Sequence, residues 1–290
     1  MFSFLKRLLP SSMRSDVVTI PVIRLQGTIM AGGGQFRPSL SLASTAGLIE
    51  KAFAYKNAPA VAISINSPGG SPVQSRLIYK RIRDLAEEKN KRVLVFVEDV
   101  AASGGYMIAV AGDEIIADPS SIVGSIGVVS ASFGFPELLK KIGVERRVHT
   151  AGRNKAVLDP FREERPEDVQ KLKELQLEVH ETFIDLVKDR RGVKLADDPD
   201  LFTGLFWSGK RGLVLGLVDA LGDMRGFLRE RYGAKVRLKL ISPQRGLFGR
   251  RIGLLGGSLS GRGTQDIAAS AAHGIADAAS ERALWARFGL

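Results

Sequence analysis

Apolar positions along the chain fall into short β-branched runs that alternate with longer amphipathic stretches. The run at 17–25, Val-Val-Thr-Ile-Pro-Val-Ile-Arg-Leu, predicts a strand ending in a glycine-rich loop at 27–34, with a helix to follow at 42–56. Ala-Val-Ala-Ile-Ser-Ile at 60–65 is short, β-branched and bounded by turn residues, the pattern of a parallel strand buried on both faces. It runs into Asn66-Ser67-Pro68-Gly69-Gly70, a helix at 72–89 and a third strand at 93–97. Ser103 and its glycines come next, with an apolar helix at 105–111 and a strand at 114–117.

Strands alternating with helices at this spacing predict an α/β fold of repeated β/α units around a largely parallel sheet. The stretch from Pro119 to Pro136 carries no charge, but its serines, glycines and prolines suit buried strand and turn rather than a bilayer helix. Strands are expected at 126–129 and 144–149, around a helix at 136–142, with a loop over 150–165. The charged helix at 166–190 opens on Pro166, a residue suited to a first helical turn. Helices at 209–215 and 224–232 precede a last strand at 235–241. The stretch 246–263 is rich in Gly, Arg and Ser and reads as linker. A final helix at 265–288 gathers Ile267, Ala271, Ile275, Ala278, Leu284, Trp285 and Phe288 mostly on one face, to dock on a partner, the core or a membrane.

Composition narrows the chemistry. With 44% hydrophobic and 25% charged residues over 290 positions, the chain has the balance of a folded globular protein. Zero cysteines exclude disulfides, Cys-based zinc and a Cys nucleophile, and the three histidines, His149, His180 and His273, have no metal-binding spacing. No cofactor or metal is expected, and no P-loop is present. The net charge of +11 favours an anionic surface. Residues 1–14 place Phe2, Phe4, Leu5, Leu8 and Leu9 beside Lys6, Arg7 and Arg14, a small basic amphipathic patch without the apolar core of a signal peptide or a spanning helix. A cytoplasmic or peripherally membrane-associated protein is expected. Nucleic acid is not an expected partner, because the arginines at 250, 251 and 262 have no interleaved stacking aromatics beyond Phe248.

Ser103 lies just past a buried strand and is followed by Gly104, Gly105 and an apolar helix. That is a nucleophile's position, on a tight turn at a helix N-terminus; an N-cap serine with glycine spacers is the structural alternative. The Asn66–Gly70 loop also sits at a strand end. In a parallel sheet both strand ends open on one edge, so the N–H groups of Gly70 and Gly104 can converge on one oxyanion. A serine hydroxyl needs a base. His180 falls inside the charged helix and His149 is the weaker histidine candidate. Lys155, in Gly152-Arg153-Asn154-Lys155-Ala156-Val157-Leu158-Asp159-Pro160-Phe161, is the stronger one, since burial and nearby arginines favour the neutral amine that a base requires.

Four motifs in this order carry a resemblance to a known family: Asn66-Ser67-Pro68-Gly69-Gly70, Ala102-Ser103-Gly104-Gly105-Tyr106, Gly124-Ser125-Ile126-Gly127-Val128, and the Lys155 loop ending Asp159-Pro160-Phe161. Together they resemble the signal peptide peptidase family of Ser/Lys-dyad serine peptidases, whose fold is related to the Clp protease and crotonase proteins. The resemblance implies a spiral of repeated β/α units, here with a helical C-terminal extension. It implies Ser103 as nucleophile, Lys155 as general base 52 residues later, Gly70 and Gly104 as oxyanion donors, and Ser125 holding the lysine amine. It also implies a peptide substrate and a homo-oligomeric ring. The expected organisation is a basic segment at 1–16, a peptidase domain at 17–241, a linker at 242–264 and an amphipathic helix at 265–290. The rival readings are a crotonase-like acyl-CoA enzyme and a non-catalytic, membrane-associated scaffold.

Overall fold

A computed structural model describes residues 17–32, 39–242 and 281–290. Residues 1–16 and 33–38, and 243–280 of the expected linker and final helix, lie outside the described residues.

Eight strands form one sheet. Strand β1 (Thr19–Gln26) pairs in parallel with β2 (Ala60–Ser67), and β2 in parallel with β3 (Arg92–Ala102). Beyond β3 the sheet divides. The first half of β3 pairs with β4 (Glu114–Ala117), whose outer neighbour is β7 (Ala220–Leu221); the second half pairs with β5 (Ile122–Gly124). Strand β6 (Phe206–Ser208) closes that side, antiparallel to β5, and β8 (Arg237–Leu240) closes the other, parallel to β1. The fold is thus mixed α/β on a mostly parallel sheet, as the alternating pattern predicted.

All eight residues of β2 are buried, and the strand's two-residue period divides them between two layers. Val61, Ile63 and Ile65 face α1 (Leu42–Phe53), α2 (Pro72–Glu88) and α3 (Gly104–Ala109), together with Phe183 and Val187 of α5 (Pro166–Arg191). Ala60 and Ala62 face the opposite way, where Leu94, Phe96 and Ile116 meet Leu228 of the helix Met224–Tyr232. Helix α2 starts where Ser71 caps it, accepting a hydrogen bond from the Gln74 N–H, with Pro72 in its first turn.

The basic last turn of α5 ties layers together. Arg190 donates to the Val110 and Gly112 carbonyls just past the end of α3, and Arg83 of α2 donates to the Ala111 carbonyl beside them. Guanidinium donors thus satisfy carbonyls that a helix end leaves open. Arg191, its side chain 2% exposed, bonds the Gly216 carbonyl and forks onto Asp219 at 2.7 and 3.1 Å.

Two strands expected from sequence are not formed. Residues 126–129 and 144–149 run without strand pairing, and 128–135 are exposed rather than buried; only α4 (Pro136–Lys141) is regular there. The cause is local. Gly124 and Ser125 have φ of 101° and 53°, which turns the chain out of the extended conformation, and the free side of β5 is taken by β6. Residues 127–165 therefore leave the sheet as an exposed excursion. No helix of the described residues is long and apolar enough to cross a membrane.

Candidate active site

Strand β3 continues five residues beyond the run expected at 93–97, past a register shift against β2, and delivers Ser103 at its end. The shift is held by an acid-amide clamp: Asn66 Nδ2 donates to Asp99 at 2.6 Å, while Asn66 Oδ1 accepts from the Val100 N–H at 3.2 Å. Ser103 then takes φ 52° and ψ −124°, a conformation that L residues avoid at about 1–3 kcal/mol. Its N–H is fixed by the Gly124 carbonyl of β5 at 2.8 Å, and its hydroxyl makes no capping bond to α3. The serine thus stands on a sharp strand-to-helix corner with its side chain outside the helix.

The Asn66–Gly70 loop is pressed against this corner. Ile29 donates to the Gly69 carbonyl at 2.9 Å and accepts from the Ser71 N–H at 2.7 Å, an isolated parallel bridge. Because that bridge uses the groups flanking Gly70, the N–H of Gly70 itself points the other way, towards Ser103 and Gly104. A Cβ on Gly70 would stand 2.1 Å from the Ile29 carbonyl oxygen, and one on Gly105 would stand 2.5 Å from that of Ser67, so neither position has room for a side chain. A Cβ on Gly104 would stand 3.4 Å from Gly70 N, which measures how closely the two loops approach. The Gly104 N–H belongs to the first turn of α3, where the helix supplies no acceptor. The loops therefore bring Ser103, Gly70 and Gly104 to one place, with two backbone donors beside one hydroxyl.

These three residues line a cavity of about 240 Å³. Its walls are mainly apolar, with Met107 from α3, Val179 and Phe183 from α5, and Val128 and Val129 from the excursion. Leu284 and Arg287 of the final described segment complete it. The sequence pattern did not single out Met107, Val179 or Phe183, which look like ordinary core positions until the helices are packed.

Tyr106, the last residue of the Ser103 motif, anchors α3. It is fully buried, its hydroxyl donates to the Leu217 carbonyl at 2.7 Å, and burial pushes that hydroxyl's pKa far up, so it stays protonated.

Lys155 is not brought to this cavity. It is exposed in the turns at 151–158 and is not among the residues lining the Ser103 cavity. Its loop is nevertheless built: Leu158 has φ 55° and its N–H bonds buried Asp168, whose carboxyl is held below the usual range by the Arg165 guanidinium. The Phe135 N–H bonds the Pro160 carbonyl at 2.6 Å, and Phe161 lies against Phe135 with Arg146 over its ring. Ser125 is buried next to the corner, its N–H bonded to the Leu205 carbonyl at 2.7 Å, one residue after the carbonyl that holds Ser103. His180 packs into the fold through Nε2, 3.0 Å from the Ile126 carbonyl, and His149 is exposed. Among the described residues no cluster of potential ligands is placed to hold a metal.

Comparisons with known proteins identify the family of the chain. Residues 86–234 match the model of peptidase family S49. A chloroplastic serine protease, SPPA, of Arabidopsis thaliana is 33% identical over 211 residues, covering 71% of this chain and 31% of that protein. A Brucella abortus protein named as a Na(+)/H(+) antiporter is 68% identical over 286 residues, which is 99% of this chain but 39% of the longer protein. That shared stretch contains the residues matched to the peptidase family; the transporter name belongs to the whole Brucella protein and is not carried over. Among solved structures, a mutant of a membrane-bound stomatin-specific protease superposes with a TM-score of 0.45 at 14% identity, over 79% of this chain and all of the other; at that similarity no residue is carried across. The chain spans well under half the length of the Brucella and Arabidopsis relatives, and over about half of its own length it matches the family model: it belongs to the serine peptidase family S49.

Proposed function

We propose that this chain is a serine endopeptidase that uses Ser103 as nucleophile and Lys155 as general base. The observation that carries the reading is the corner at Ser103, where a strained serine and the N–H groups of Gly70 and Gly104 meet on one apolar cavity. Backbone strain kept at a half-buried serine is a cost that a merely structural turn avoids, since glycine would occupy it freely.

In the proposed reaction the neutral Lys155 amine takes the Ser103 proton as the hydroxyl oxygen attacks the peptide carbonyl carbon. The Gly70 and Gly104 N–H groups hold the resulting oxyanion, a contribution worth about 3–4 kcal/mol per well-placed donor. The ammonium then protonates the leaving amine, and water attacks the acyl-serine ester to free the enzyme. In this reading Lys155 reaches Ser103 by a movement of the exposed excursion 127–165, and Ser125 at the root of that excursion holds the amine.

The exposed Phe133, Leu138, Ile142 and Val144 of that excursion support a second proposal, that copies of the chain assemble as a ring through this arm and fix Lys155 in place. The apolar cavity walls support extended, apolar peptides as substrates, including remnants of signal peptides or membrane-associated proteins, reached by peripheral contact with a membrane. Incubation with an unfolded apolar protein tests the reading: wild type yields internal cleavage products and Ser103→Ala yields none. Cleavage that persists in Ser103→Ala, or hydrolysis of acyl-CoA thioesters in its place, overturns it.

A further inference from the structure

The last described residues, 281–290, pack on the core. The helical stretch 281–286 and the turn that follows it present two pairs at three-residue spacing. Trp285 and Phe288 pack on Val100, Ala102 and Ile122, the strand ends that carry Ser103, and the Phe288 ring meets Phe206 edge-on at 5.0 Å. Leu284 and Arg287 line the Ser103 cavity beside Val179 and Phe183. One pair anchors the segment while the other supplies a wall of the cavity.

We infer that this segment sets substrate preference: Leu284 bounds the apolar subsite beside the scissile carbonyl, and Arg287 receives a carboxylate from a neighbouring substrate residue. The inference rests on the peptidase reading of the same cavity. Its argument is chemical. Among the described residues, the cavity lining contains no acidic residue to offset Arg287, so the one charge they place at the cavity wall is positive. Arg287 is exposed at the mouth, its guanidinium carbon 5.9 Å from the Phe288 ring centroid, so a docking peptide meets it without displacing a buried pair. The preferred substrate class is a peptide with a large apolar residue at the cleaved bond and Asp or Glu close by.

Cleavage of a peptide library by the full chain, read as kcat/KM for each sequence, tests this. In Arg287→Glu the preference for acidic over basic neighbours reverses, each arm changing by about fivefold, the size of one solvent-screened charge pair. In Leu284→Trp, cleavage after large apolar residues falls by at least about tenfold while small residues are spared, as expected when a pocket loses a few methylenes of room. Fluorophosphonate labelling of Ser103 is run in parallel, so that failure of the wild type to label or cleave counts against the peptidase reading. Wild-type cleavage with preferences unmoved in both variants overturns the specificity role alone. A uniform rise in kcat/KM when Trp285 and Phe288 are both replaced by alanine also overturns it, since that is the behaviour of a plug rather than a wall.

Discussion

Ser103 shows how a single residue's backbone can mark chemistry. Among the described residues, four non-glycine residues have positive φ, and two of them, Ser103 and Ser125, end the adjacent strands β3 and β5. Such positions persist only where surrounding bonds over-determine them, here the Gly124 carbonyl on the Ser103 N–H and the Leu205 carbonyl on the Ser125 N–H. The corner also depends on close backbone approach. Gly105→Ala would push a methyl group to 2.5 Å from the Ser67 carbonyl oxygen, and backbone on both sides leaves little to give. We expect it to lower stability by about 1–3 kcal/mol and to abolish hydrolysis, because moving Ser67 also moves Gly70. Thermal melting and peptide cleavage measured together check this: an active variant with unchanged Tm contradicts the interlocked-loop account.

At the scale of elements, α5 organises the site from behind: its basic last turn grips the end of α3 and the 216–219 segment, while Val179 and Phe183 further up the helix line the cavity. The Arg191–Asp219 pair is the tightest of these ties. Burial alone would raise the Asp219 pKa, but hydrogen bonds from Arg191 and Lys194 outweigh it and hold the carboxyl below its usual value. A lowered folded pKa means stability that is complete above the ordinary Asp range and is lost as pH falls through the folded value. Wild type is therefore expected to keep its Asp219 contribution down to about pH 4 and lose it progressively below. Asp219→Asn removes that part of the acid dependence. It also leaves the Arg191 charge buried without its partner, and costs about 3 kcal/mol, the low end for breaking a buried pair because Asp219 keeps some solvent contact. Urea unfolding at neutral and acidic pH distinguishes these outcomes. A variant as stable as wild type at neutral pH would show the pair to be idle.

Most of these elements were legible in the sequence. The strands of the sheet centre announced themselves as β-branched runs, and the two glycine motifs fell at strand ends where a parallel sheet opens. What was not legible depended on tertiary pairing: β6 and β7 are two or three residues long, too short to carry a period, and the strands expected at 126–129 and 144–149 lost their place to β6. The final helix showed an apolar face but not what it covers; its Trp285 and Phe288 meet residues nearly two hundred positions away.

At the largest scale, the described residues form a buried, mostly parallel core from which the excursion 127–165 is exposed. Phe133 is 80% exposed and Ile142 59%, on the same excursion that bears Lys155, an arrangement that isolates poorly in water and suits association. Phe133→Glu with Ile142→Glu is expected to shift the protein towards monomer in light scattering and to reduce hydrolysis with it, without lowering the Tm of the core. A double variant that stays both associated and active contradicts the ring proposal. The central claim is the lysine-activated serine, and labelling by a fluorophosphonate probe from about pH 6 to about pH 10 tests it most directly, because an amine acts as base only in its neutral form. The account predicts labelling in wild type that rises with pH, and none in Ser103→Ala or Lys155→Ala. Absence of labelling in wild type, or labelling unchanged in Lys155→Ala, would contradict it.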